Sequence, residues 1–206
     1  MIRLDTWKQL YLLINGATAN EAIAVIHPSY YVDNLGERSL SGMSTRDLTS
    51  QYKPNLLFAL SQIGSPFILN GYNHFGWDDS ERFLQRDLDF VSAGRRPDFF
   101  ITTFLENEQA SSPIGNVYIM GCMGDSCIEN FADRALRNKF TQTVTLVTDA
   151  IVSFNGGVYD LTTGKTIEQP TCYLGLPDIS LACLRKQFPG RVGICKSHGL
   201  NKIEYA

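Results

Sequence analysis

Val117-Tyr118-Ile119-Met120-Gly121-Cys122-Met123-Gly124-Asp125-Ser126-Cys127-Ile128-Glu129-Asn130 changes its periodicity halfway along. Residues 116–121 hold the apolar run Val117–Met120, with β-branched and aromatic members, and read as a strand of a parallel sheet. Glycines then mark a short turn. Asp125-Ser126 opens a helix predicted to run to about Lys139, because Ile128, Phe131, Ala132, Ala135 and Leu136 keep a 3.6-residue period.

Outward from this segment the same alternation continues. Ala22–Ile26 is an apolar, β-branched strand bounded by His27-Pro28. Residues 29–50 are polar and Gly/Ser-rich and read as a loop. Leu56–Ile63 has helical spacing, with Pro54 near its start and Gly64 after its end. Pro66–Asn70 is a second strand, and residues 71–81 form a loop holding Asn73, His74, Trp77, Asp78 and Asp79. Thr143–Thr148 is a further strand, residues 153–177 read as irregular, Ile179–Phe188 as a short helix, and Arg191–Cys195 as a last strand. Within residues 1–20, Leu4, Trp7, Leu10, Tyr11 and Ile14 predict an accessory amphipathic helix ahead of one α/β domain over 21–206. Alternating strands and helices imply a three-layer α/β/α domain with a parallel sheet of five to six strands. Functional residues of such sheets lie beyond the C-terminal strand ends. His27, the 72–79 loop and Cys127 fall there.

The composition agrees. Of 206 residues, 44% are hydrophobic and 19% charged, enough to build one full core. The net charge of −3, with scattered Lys and Arg, argues against nucleic acid or an anionic membrane as partner. No apolar run reaches the ~18 residues of a spanning helix. The N-terminus lacks the pattern of a signal peptide. Five widely spaced cysteines with no CxxC pair predict a reduced, cytoplasmic chain rather than a disulfide scaffold or a zinc cage. No metal and no cofactor is expected, and a small molecule is the expected ligand.

The stretch 117–130, followed by Ala132, Ala135-Leu136 and Val144-Thr145-Leu146-Val147-Thr148-Asp149-Ala150, resembles the signature of the isochorismatase-like cysteine hydrolases. That signature is an apolar strand ending in Gly, a turn, an Asp two residues before a Cys, an Ala-rich helix, and a strand ending in Asp-Ala. Thr103-Phe104-Leu105 stands upstream at the family's spacing, and the resemblance covers about residues 22–150. It implies Cys127 as nucleophile and an oxyanion hole from the amides of Cys127 and Met123, with a cis peptide before Met123. It also implies a homodimer or larger oligomer. The residue chemistry is compatible: a cysteine in a helix's first turn faces the positive end of its dipole, which favours thiolate, and unpaired N–H groups there can hold an oxyanion. Asp125 is placed to cap that helix.

Two of the three catalytic positions depart from the family pattern. The aspartate after the first strand is His27, and the lysine position, counted back from Phe100 and Thr103, falls on Gly94 beside Arg95 and Arg96. The glutamine two residues after the aspartate is Ser29. In one reading His27 acts as the base toward Cys127 and Arg95 supplies positive charge. In the other the site has lost its chemistry, and the domain binds a small molecule or another protein. His74 stands where some relatives hold a metal, but Asn73 replaces the acidic partner, so pocket lining is expected instead. Phe99, Phe100, His74 and Trp77 are the candidate substrate-binding residues. Asp87 and Asp89 read as a loop or strand edge. Cys122, Cys172, Cys183 and Cys195 read as small buried residues.

Overall fold

The computed structural model describes residues 2–3, 20–29, 45–64, 67–71, 81–94, 99–103, 114–122, 124–155, 158–159, 166–168 and 171–205. Its parallel strands are β1 (Ile2–Arg3), β2 (Glu21–Ile26), β3 (Phe67–Gly71), β4 (Phe99–Thr103), β5 (Ile114–Cys122), β6 (Thr141–Asn155) and β10 (Val192–Cys195). Two further strands, β9 (Thr171–Leu174) and β11 (Glu204–Tyr205), join the same sheet antiparallel. The sheet therefore has nine strands and is mostly parallel, larger than the five or six expected. A separate hairpin pairs β7 (Val158–Tyr159) with β8 (Thr166–Glu168). Both it and β9 lie in the stretch read as irregular.

Along the sheet the order is β1-β4-β3-β2-β5-β6-β10-β11. After the edge strand β1, the chain enters the middle of the sheet at β2, moves outward through β3 to β4, then returns past β2 to β5 and moves outward the other way. The order reverses between β2 and β5, the place where open α/β sheets form their ligand crevice. Register fixes the C-terminal rim: Thr103 lies beside Gly71, Gly71 beside Ile26, and Ile26 beside Gly121. Gly121 has φ +125°, and a Cβ there would collide with the backbone of Ile26. The glycine that ends the apolar run thus lets β5 close on β2 at the rim.

Alternate residues of β2 feed two hydrophobic clusters. Ile23 and Val25 pack with Tyr52, Leu56, Ala59 and Leu60 of α1 (Thr45–Gln62) and with Phe90 and Val91 of α2 (Glu81–Ser92). Ala22, Ala24 and Ile26 pack with Phe131, Ala132 and Leu136 of α3 (Glu129–Arg137) and Leu184 of α4 (Asp178–Gln187). The two-residue period of a strand separates these sets.

Several boundaries differ from the sequence reading. α1 begins at Thr45, inside the expected loop, and Pro54 sits within it rather than at its start. Pro54 is exposed while Tyr52, Leu56, Ala59 and Leu60 are fully buried, so the packed face outweighs one lost helix hydrogen bond. α2 replaces the expected acidic loop and strand edge, because Phe90 and Val91 give Glu81–Ser92 a buried side. β6 runs to Asn155, well past Thr148, and Ala150, Ile151 and Val152 are all buried. At the N-terminus Ile2–Arg3 extends the sheet edge beside Ile101–Thr102; residues 4–19 lie outside the described residues. No described helix is long and apolar enough to cross a membrane.

Candidate active site

His27 and the helix opening that carries Cys127 flank the point where the strand order reverses. His27 follows Ile26 at the end of β2 and is half-buried. Its φ is +42°, in the left-handed region that non-glycine residues uncommonly adopt, and it precedes a proline. Burial lowers its imidazole pKa below the ordinary 6.5, since desolvation disfavours the charged ring. His27 is therefore mainly neutral near pH 7 and able to accept a proton.

Cys127 sits differently from expectation. It belongs to a π-helical turn, Gly124–Ile128, that precedes α3, and the N-cap of α3 is Ile128 in helical conformation with no side-chain cap. The α-helical ladder starts later than Asp125-Ser126 predicted, and Asp125 is not its N-cap. The cause is visible at Gly124, which is wedged against β6 and β9: a Cβ there would collide with Ser153 Oγ and crowd Ile151 Cγ2 at 2.9 Å and the Gly175 carbonyl at 3.2 Å. Ser153 Oγ donates to that same Gly175 carbonyl. A backbone pressed this closely enters the helix through a wide turn, and such turns recur at functional sites. Cys127 is 5% exposed and belongs to the apolar cluster with Ile26, Ile151 and Leu176. The thiol is nearly covered in this conformation.

A second polar group gathers on the opposite side of β2, and the sequence reading missed it. Asp87 of α2, only 3% exposed, accepts two hydrogen bonds on one oxygen, from the Ser29 amide at 3.2 Å and Ser29 Oγ at 2.8 Å. Tyr52 of α1, fully buried, donates to the Pro28 carbonyl at 3.0 Å. The Cys122 thiol lies 3.5 Å from the Tyr52 hydroxyl. The Tyr52 pKa is raised well above 10.0, first by burial and then by Cys122 and Asp87. One sequence signal was available: Asp87 interrupts an apolar stripe of Phe83, Phe90 and Val91 at helical spacing. An acidic residue there must be satisfied from another element.

Gly94, assigned to the lysine position, does not stand on the C-terminal rim. It closes the turn after α2 and precedes β4, whose rim residue is Thr103. It also packs on α1, where a Cβ would lie 2.9 Å from Leu57 Cβ. Arg95, His74, Trp77, Tyr30 and Met123, with the peptide joining Met123 to Cys122, lie outside the described residues, as do the side chains of Phe99, Phe100 and Asp125.

The other cysteines divide. Cys122, Cys172 and Cys195 are buried as expected, whereas Cys183 is exposed on α4. None is in a disulfide. Burial, then nearby Asp149, pushes the Cys195 thiol up to about 11. Among the described residues no group of three His, Cys, Asp or Glu side chains is arranged to hold a metal. No family model, no curated protein and no solved structure matches the chain.

Proposed function

We propose that the chain is an atypical cysteine hydrolase of the isochorismatase-like kind, on a three-layer α/β/α domain, with Cys127 as nucleophile and His27 as its base. The observation that carries the reading is the reversal of strand order between β2 and β5, flanked by His27 at the end of β2 and by the turn bearing Cys127 just after β5. A neutral imidazole takes the thiol proton, and the thiolate attacks the carbonyl carbon of an amide. The resulting oxyanion is held by helix-opening amides, with Cys127 and Met123 as donors. The C–N bond then breaks as imidazolium returns the proton to the leaving amine, and water hydrolyses the thioester. No cofactor enters. The reading carries with it a homodimer or larger oligomer in a reducing compartment.

The 5% exposure of Cys127 favours a second reading, a catalytically inactive member that binds a small molecule or a protein. Iodoacetamide labelling of Cys127 at pH 6, resolved by mass spectrometry, separates the two. Fast labelling that drops about a hundredfold in His27→Asn, the lower range for loss of a general base, supports the hydrolase, and a screen of amides and isochorismate follows. Labelling that rises only toward the ordinary thiol range near 8.5 supports the inactive member.

A further inference from the structure

We propose that Asp87 and Tyr52 are positioning residues that hold His27 in its left-handed conformation at the rim. The inference rests on the reading of His27 as the base of Cys127. The geometry is a clamp from two helices on the two residues that follow His27. Tyr52 of α1 fixes the Pro28 carbonyl at 3.0 Å, and Asp87 of α2 fixes both the amide and the hydroxyl of Ser29. All three bonds are buried, so none competes with bulk water. A histidine at φ +42° before a proline is strained, and such a residue persists only where its surroundings over-determine it. Here the over-determination comes from side chains that lie with the α1 and α2 cluster, while Cys127 belongs to the α3 and α4 cluster. Tyr52 and Asp87 therefore act on the site through the backbone of 27–29, not by touching the reacting thiol. The Cys122 thiol, 3.5 Å from the Tyr52 hydroxyl, completes the packing around the clamp.

The chemistry of the clamp separates geometry from charge. Both Ser29 bonds end on the same carboxyl oxygen, so Asp87→Asn keeps an oxygen acceptor for both, whereas Asp87→Ala removes it. Tyr52→Phe keeps the ring in the core and removes only the donor to Pro28. The experiment uses the full chain with two readouts. One is the NMR titration of the His27 ring, assigned by its loss in His27→Asn. The other is the rate of Cys127 alkylation at pH 6. In Asp87→Ala and Tyr52→Phe the His27 titration moves up toward 6.5, and labelling slows about fivefold, the equilibrium worth of one hydrogen bond. Asp87→Asn matches the parent in both. Should Asp87→Ala not fold, Tyr52→Phe against Asp87→Asn makes the same comparison. An unchanged His27 titration in Tyr52→Phe and Asp87→Ala overturns the clamp. A titration that responds, in a protein whose Cys127 labels no faster than an ordinary thiol in any variant, keeps the clamp and overturns the hydrolase reading instead.

Discussion

At the scale of single residues, His27 holds most of the consequences. Its folded-state pKa is lowered, so the unfolded chain binds the extra proton first. The contribution of His27 is thus fully present above about 6.5 and is lost as pH falls through the folded value. Urea melts of His27→Asn are expected to show a shallower loss of stability than the parent from about pH 6.5 downward. The backbone imposes its own order on substitutions here. His27→Asn and His27→Gly suit a φ of +42°, whereas His27→Ala keeps the Cβ strain of about 1 kcal/mol. Alanine is therefore the poorer probe of the base, and its melting point should fall below that of the other two. Gly94 gives the complementary prediction. Gly94→Lys forces a side chain onto Leu57 and costs about 1–3 kcal/mol by chemical denaturation, with no gain in Cys127 reactivity.

At the scale of elements, helix α1 and strand β5 show how packing selects among local preferences. Pro54 lies on the exposed face of α1, in the helix interior. Proline costs ~3 kcal/mol relative to alanine in such a position, and part of that is offset by its stiffening of the unfolded chain. Pro54→Ala is expected to stabilise the protein by about 1–2 kcal/mol, read as a rise in melting temperature. The opposite holds at the end of β5. Gly121→Ala drives a Cβ into the Ile26 backbone at φ +125°, and β2 and β5 are the two strands between which the sheet order reverses. A loss of more than about 3 kcal/mol is expected, within the range that close-packed positions show. A repeated device is visible at the strand ends. Asp87 holds the amide and hydroxyl of Ser29 beyond β2, and Asp149 holds the amide and hydroxyl of Ser197 beyond β10 at 2.7 and 2.8 Å. Carboxyl groups thus shape two of the loops that leave the C-terminal rim.

For the whole molecule, the arrangement of thiols around the sheet makes a direct check. Under native conditions Ellman's reagent should react promptly with Cys183 alone among Cys122, Cys172, Cys183 and Cys195, and with the other three only on unfolding. Prompt reaction at any of those three would contradict the packing of the β5, β9 and β10 region. How much of this was legible in the sequence follows from the range of the interactions concerned. The apolar runs at 22–26, 66–70, 116–121 and 191–195 marked strands, because a strand buried on both faces is apolar throughout, and helix α3 showed itself by its period. The rim glycine and the place of His27 and Cys127 beside it followed from the same local patterns. Helix α2 and the start of α1 did not show, since their buried faces are defined only once the sheet lies beneath them. The π turn before α3 was hidden for a similar reason: it arises from the approach of Ser153 and Gly175, far along the chain, to Gly124. Asp87 read as part of a loop or strand edge until Ser29, 58 positions away, supplied its two donors. The sequence by itself determined the alternating α/β pattern and the residues at the ends of its central strands, because those depend on side-chain period within a few turns. Only the tertiary structure decided the strand order that brings β2 against β5, the left-handed backbone at His27 and the buried clamp beneath it, because each depends on contacts between segments that no local pattern relates.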